Sequence, residues 1–349
     1  MRVLWITPGF AADENDSTCI PPMQLLAQEL LRSGVDLYIV TLEYPFHNTP
    51  YRWHGAAVYP CNGHNRRWMK PRTLWRAMHF SREVLTSGPE KVDAIHSFWL
   101  GWASGLGEKL SQRHGIPQLT TLMGQDVLRQ NRKFMLGLDG KRSARLVAVS
   151  DFQNDIFEKN TGIRAAHVIP WGVAEAEIPA ALPAGRPLDV LGAGSLVPVK
   201  NWEKWLRAIA IAVRSAPELN AEIIGDGTER AKLEQLARQL GVGGNVRFAG
   251  NLSRPEVLAC MQKAKVLLHT ARYESFGYVL AEAAMNGCRV IGTPVGAMRQ
   301  FGKTAESEAD LAMLLLEALE YSVQNQPFVP YTMQQTAESY MKVYEVDKG

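Results

Sequence analysis

Two doubly wound α/β domains in succession are what this sequence predicts, and three observations predict them. Short apolar runs alternate with longer amphipathic ones, the pattern of strands separated by helices on both faces of a parallel sheet. The alternation stops at residues 174–187, AEAEIPAALPAGRP, a stretch rich in alanine and proline with no period, and then restarts. At 349 residues the chain is also long for a single core.

In order along the chain, RVLWIT (2–7) reads as a buried strand, and a helix follows from about Pro22, behind a Pro-Pro pair suited to a first turn. VDLYIVT (35–41), DAIHSF (93–98), PQLTTL (117–122) and RLVAVS (145–150) repeat the pattern and complete an N-terminal domain over 1–173. After the linker come LDVLGAG (188–194), AEIIGDG (221–227), NVRFAG (245–250), KVLLHTA (265–271) and RVIGTP (289–294), a second domain over 186–328. The first four of these each precede a helix-like segment. TMQQTAESYMKVYEV (332–346) has no strand after it, so a helix over 331–347 is expected to pack back on the first domain. Ligands of open parallel sheets bind beyond the carboxyl ends of the strands. Two such domains facing each other would place a nucleotide on one wall of a cleft and a second substrate on the other.

Composition narrows the class. With 46% hydrophobic and 21% charged residues the chain is an ordinary globular protein, not a disordered one. The four cysteines lie far apart with no CxxC pair, which argues against a zinc site or a disulfide framework and for a reducing cytoplasm. The start, MRVLWITPGF, is too short an apolar run for a signal peptide, and no run of about 18 apolar residues exists to span a bilayer. No GxxxxGK[ST], HExxH or GxSxG occurs, and GAGSLV lacks the third glycine of a dinucleotide fingerprint. The net charge of +3 is uneven, with 20 Lys/Arg against 15 Asp/Glu in residues 1–170. That excess concentrates in Arg66, Arg67, Lys70, Arg72, Arg76 and Arg82, and again in Arg129, Arg132, Lys133, Lys141, Arg142 and Arg145. Such a patch attracts a phosphorylated acceptor or an anionic membrane surface. The stretch 64–82 mixes these bases with Trp68, Trp75 and Phe80, as a membrane-lying helix would. Leu74, Met78 and Leu85 recur at near-helical spacing, which favours a packed helix with a basic rim, and no nucleic-acid partner is expected.

The stretch YESFGYVLAE (273–282) places Glu274 before an apolar run and Glu282 within it. It follows a strand and precedes a helix that ends at Gly287, so a helix start is expected near Ser275 or Phe276. The N–H groups of Phe276, Gly277 and Tyr278 would then form an anion site, and Gly277 would let a phosphate approach the backbone. Glu282, about six residues into that helix, would lie roughly 9 Å along its axis, the reach from a diphosphate to its ribose. A carboxylate there suits a ribose diol. A capping acid followed by an exposed glutamate would have the same spacing.

ARYESFGYVLAEAAMNGCRVIGTPVGAM resembles the Glu-x7-Glu signature of the retaining glycosyltransferases of family 4, which have the two-domain GT-B fold. The resemblance extends over nearly all the chain. LGAGSLVPVKNW (191–202) is similar to that family's phosphate loop, with IIGDG (223–227) and VRFAGNL (246–252) beyond it, and IPQLTTLMGQD (116–126) occupies the place of its donor-reaching N-domain loop. The resemblance implies that Glu274 meets the donor sugar, Glu282 the ribose, and Ser275, Phe276, Gly277 and Tyr278 the phosphates. It implies that Lys200 neutralises the departing diphosphate, and that Gly194, Ser195, Gly225, Phe248 and Asn251 line the nucleotide. Two departures stand out. Ser195 replaces the arginine usual in the phosphate loop, and Met123 replaces the histidine usual before Gly124. Gln125 or Asp126 would then serve at the donor, Asp126 as a catalytic residue. His96 is a further candidate for the cleft, and Gly9 for close approach of the acceptor. The implied reaction moves a hexose-type sugar from a nucleoside diphosphate sugar, most commonly UDP-linked, to a glycan or lipid-linked acceptor. It would retain the α configuration with no cofactor and no metal, in the cytoplasm or at the inner face of the membrane. Two other readings stay open: a non-catalytic sugar-nucleotide-binding partner, and a sugar-nucleotide epimerase on the same fold.

Overall fold

The computed structural model describes residues 1–87, 91–135, 145–320 and 326–346. The chain forms two compact units, Met1–Gly172 together with Tyr331 onward, and Val173–Pro330.

In the first unit, strands β1 (Arg2–Gly9), β2 (Asp36–Tyr44), β3 (Tyr51–Trp53), β4 (Ala56–Pro60), β5 (Ala94–Phe98), β6 (Gln118–Thr121), β7 (Leu146–Ala148) and β8 (His167–Val168) share one sheet. Their order is β3-β4-β2-β1-β5-β6-β7-β8. Every neighbouring pair is parallel except β3 with β4. β1 lies inside the sheet and is covered on both faces, so Val3, Leu4, Trp5 and Ile6 are fully buried and the strand reads as an unbroken apolar run. The β3–β4 hairpin was not expected from the sequence. His54 (φ 45°) and Gly55 (φ 99°) form its turn, the doubly positive-φ connection that matches the twist of paired strands. Gly9, expected in a loop, is the last residue of β1 and pairs with Tyr44 after a register shift.

The helix Met333–Val346 is part of this unit's core and packs against the helix Pro21–Arg32. Its Tyr340 and Tyr344 are fully buried. The Tyr344 hydroxyl meets His96 Nδ1 at 2.6 Å, His96 Nε2 meets Thr121 Oγ1 at 2.8 Å, and Thr121 meets the Tyr340 hydroxyl at 3.0 Å. His96, expected at the cleft, is therefore a core residue in the interior of β5, with no exposed surface and both ring nitrogens engaged. Burial depresses its imidazole well below the usual value. It has no face to offer an acceptor.

In the second unit, β9 (Leu188–Ala193), β10 (Ala221–Ile224), β11 (Val246–Gly250), β12 (Ala264–His269), β13 (Arg289–Gly292) and β14 (Gly302–Thr304) form an all-parallel sheet in the order β11-β10-β9-β12-β13-β14. This is the 3-2-1-4-5-6 order of doubly wound dinucleotide-binding folds. Helix Trp202–Ser215 turns Trp202, Trp205, Leu206 and Ile209 inward at helical spacing, and they pack on Val190, Ile223 and Val266 of the sheet. Residues 174–187, expected as a bare linker, belong with this unit, as does Val173. Arg186 donates to the carbonyls of Ala264 (2.5 Å) and Asn286 (2.7 Å).

Candidate functional site

Strand order in the second unit reverses between β9 and β12, so the chain leaves those two neighbours toward opposite faces and opens a crevice at their carboxyl ends. The loop after β9 carries Gly194, Ser195 and Lys200, and the loop after β12 carries Glu274. Backbone bonds fix both loops. Gly194 N–H donates to Ile224 O (2.9 Å), Leu196 N–H to Asp226 O (2.9 Å), Gly225 N–H to Gly250 O (2.8 Å) and Arg272 N–H to Val199 O (2.8 Å). Gly225 has φ 130°, and a Cβ there would collide with the Gly194 carbonyl, so only glycine lets these two strand ends meet. Ser195 is exposed, and its carbonyl accepts Trp202 Nε1–H at 2.9 Å.

At the crevice the Lys200 ammonium is ion-paired with Glu274 Oε1, and His269 Nε2 reaches the same oxygen at 3.2 Å. Burial alone would raise the Glu274 carboxyl. The Lys200 charge, with the hydrogen bond and charge of His269, outweighs it and holds the carboxyl at about 2. His269 is the last residue of β12 and is 6% exposed. The helix that follows is Tyr278–Met285, with Gly277 as its N-cap in the left-handed region at φ 85°. It starts later than expected, so Glu282 lies about 6 Å along the axis from its first residue rather than 9 Å. The first-turn N–H groups of that helix face the same end of the sheet as Lys200. Phe276 is expected at the phosphates through its backbone N–H alone. Its ring is buried edge-on against Phe301.

Glu282 has a cation of its own. Arg254 donates from Nε to Glu282 Oε1 at 3.0 Å and forks onto Glu177, with Nη2 to Oε2 at 2.8 Å and Nη1 on the other oxygen. Burial pushes Glu282 up to about 7, because the opposing pull of Arg254 is shared with Glu177, whose own charge adds to the rise. Burial would lower the Arg254 guanidinium, yet its two carboxylates push it up. Burial also drives the Tyr278 phenol well above its usual value. The two carboxylates of the 274–282 stretch are thus shifted in opposite directions. Phe248 packs half-buried on the core and Asn251 is exposed beyond β11.

In the first unit, Asp126 is buried and fully occupied by backbone. Its oxygens accept N–H from Leu100 (2.8 Å), Met123 (3.3 Å) and Gly124 (2.7 Å). Burial raises its carboxyl against those bonds. The catalytic role expected for Asp126 is replaced by a structural one, the shaping of the loops after β5 and β6. Gln125 is exposed beside Gly124. Of the later basic group, Lys141 and Arg142 lie outside the described residues. The outward face of helix Lys70–Thr86 and the turn before it shows Trp68 (74% exposed), Arg72, Trp75 (68%), His79 and Arg82 in one stripe, while Thr73, Ala77, Ser81 and Val84 face inward.

Sequence reasoning missed His269, Arg254 and Glu177. A polar residue ending a strand at a switch point was a usable signal for His269. Nothing local marks Arg254 or Glu177, which are brought together across 77 residues.

Two family descriptions match consecutive stretches of the chain, Glycosyltransferase Family 4 over residues 23–177 and Glycosyl transferases group 1 over residues 174–322. Glycogen synthase of Mycobacterium tuberculosis is 29% identical over 194 residues, 54% of this chain and 47% of that protein. D-inositol 3-phosphate glycosyltransferase of Nocardioides sp. is 27% identical over 263 residues, 63% of this chain and 57% of that protein. The chain therefore spans about half the length of the curated relatives it matches. The solved structure of Anabaena HepE in complex with UDP and glucose is similar over 99% of this chain and 98% of that one, with a TM-score of 0.68 at 16% identity, a likeness of fold.

Proposed function

We propose that this chain, which belongs to the glycosyltransferases of the family 4 type with the GT-B fold, moves a hexosyl group from a uridine diphosphate sugar to a glycan or lipid-linked acceptor, with retention of configuration and without a divalent metal. The observation that carries this is the Lys200–Glu274 pair at the carboxyl ends of β9 and β12. When the bond between sugar and diphosphate breaks, negative charge grows on the leaving oxygen. Lys200 and the positive end of helix Tyr278–Met285 are aimed where a metal would otherwise be needed. Glu274, held ionised, accepts hydrogen bonds from the sugar hydroxyls, and Glu282 accepts them from the ribose. HepE, a fold relative, binds UDP and glucose, which supports a uridine donor.

Acceptor and location are part of the same proposal. The stripe Trp68, Arg72, Trp75, His79, Arg82 combines amphipathic aromatics with cations, the chemistry of an anionic membrane surface. No helix among the described residues is long and apolar enough to cross a membrane. Contact would therefore be peripheral, and a lipid-linked acceptor for cell-surface polysaccharide or glycolipid synthesis fits it.

The test is a thermal-shift titration with UDP, GDP, ADP and CMP in the presence of a chelator, wild type beside Glu282→Ala. Stabilisation by UDP in the wild type, lost in the variant, is expected. Stabilisation by none of them would sink the donor assignment. UDP-glucose consumption that releases an altered free sugar would move the reaction to epimerisation, and binding with no turnover on any acceptor would point to a non-catalytic partner. Vesicles of phosphatidylglycerol should sediment the wild type but not a Trp68→Ser, Trp75→Ser double variant, and phosphatidylcholine vesicles should sediment neither.

A further inference from the structure

Two groups meet at one carboxylate oxygen in the second unit. Lys200 Nζ and His269 Nε2 both address Glu274 Oε1, while Oε2 has no partner among the described contacts. Lys200 reaches this point from a flexible four-carbon stem. His269 does not move comparably. It is 6% exposed, its carbonyl accepts Thr293 N–H at 3.0 Å, and its residue is paired in register with Gly292 of β13. The other ring nitrogen, Nδ1, is buried with no hydrogen-bond partner. A buried polar atom left in that state calls for a reason. The reason offered by the geometry is that the ring is turned to bring Nε2 to Glu274, at the expense of Nδ1.

Resting on the donor role proposed above, we infer that His269 is the positioning residue for Glu274, holding its carboxylate in place once a sugar diphosphate draws the Lys200 ammonium away. Lys200 is ion-paired with Glu274, so the cation that a diphosphate needs is already engaged. An arriving diphosphate carries more negative charge than one carboxylate and competes for Lys200. Glu274 then loses its stronger partner while it must stay aimed at the sugar. The Nε2–H of His269, fixed to the end of β12, keeps Oε1 engaged and leaves Oε2 turned toward the sugar hydroxyls. The hydrogen bond survives the exchange because it comes from rigid sheet and not from the mobile side chain.

Side-chain geometry provides the test. A glutamine at 269 can place an amide N–H near the position of Nε2, whereas an asparagine reaches only the position of Nδ1. Dissociation constants for UDP and for UDP-glucose should be measured by calorimetry on the wild type, His269→Gln and His269→Asn, after thermal denaturation has established that both variants fold. The UDP constant should stay within about twofold throughout. The UDP-glucose constant should rise about tenfold or more in His269→Asn and return to within about threefold of wild type in His269→Gln. A merely structural histidine would weaken both ligands together in both variants, and that result would overturn the proposal, as would UDP-glucose binding indifferent to either change. If the wild type binds neither UDP nor UDP-glucose, the donor assignment itself fails and this inference falls with it.

Discussion

Replacing Glu274 with glutamine should destabilise the protein in a pH-dependent way, and the structure sets both size and sign. The carboxyl stands at about 2 in the folded chain against 4.5 for an ordinary glutamate. At about 1.4 kcal/mol for each pH unit separating the two values, the ionised group contributes roughly 3 kcal/mol of stability. The folded value is depressed, so this contribution is fully present above 4.5 and is lost as pH falls toward 2. Urea unfolding followed by tryptophan fluorescence, to which Trp202 and Trp205 of the surrounding core respond, can be run at pH 5.5 and at pH 3.5. Wild type should exceed Glu274→Gln by about 3 kcal/mol at the higher pH and by about 2 kcal/mol at the lower. A gap that is constant with pH, or absent at pH 5.5, would refute the idea that Lys200 and His269 stabilise an ionised Glu274.

Glu282 should behave in the opposite sense. Its folded value of about 7 lies above its unfolded one, so its contribution to stability falls as pH rises from 4.5 through 7, and a Glu282→Gln variant should gain on the wild type over that range in the same unfolding assay. Glu282→Ala should weaken UDP binding by roughly 1.5–3 kcal/mol, the range for hydrogen bonds to charged groups, and unchanged calorimetric affinity would remove the ribose role. Tyr344→Phe leaves buried His96 Nδ1 without its partner and should cost about 1–3 kcal/mol, read as a lowered urea midpoint. Gly225→Ala puts a side chain against the Gly194 carbonyl at a left-handed φ, so it should cost more than about 1 kcal/mol and abolish UDP binding, and a variant with wild-type affinity would contradict that packing.

Much of the fold was legible because parallel strands buried on both faces are continuous apolar runs, and RVLWIT or KVLLHTA can hardly be anything else. The short strands β3, β4, β8 and β14 were not, since two to five residues leave no period to detect. The His-Gly pair at 54–55 was the one local sign of the β3–β4 hairpin. In the site, Glu274 and Lys200 were named from motifs and are found paired. His96 and Asp126 fail for one physical reason. A polar residue near a strand end looks the same in sequence whether it faces a crevice or bonds inward, and the deciding partners are distant. Tyr344 lies 248 residues from His96, and the Asp126 oxygens are claimed by backbone whose path no side-chain pattern records. Arg254 was invisible because a helix-starting arginine is ordinary until the fold sets Glu177 and Glu282 on either side of it.

The helix Met333–Val346 completes the first unit with residues that follow the whole of the second. During synthesis, which runs from the N-terminus, the second unit leaves the ribosome with every strand it needs while the first still lacks Tyr340 and Tyr344. Until those two side chains arrive, His96 Nδ1 lacks the Tyr344 hydroxyl and Thr121 the Tyr340 hydroxyl, and the side of helix Pro21–Arg32 that the last helix covers stands open. The part of the chain made first is therefore the part finished last. A premature stop soon after residue 320 would spare the complete second sheet and leave the first unit exposed, a ready client for chaperones.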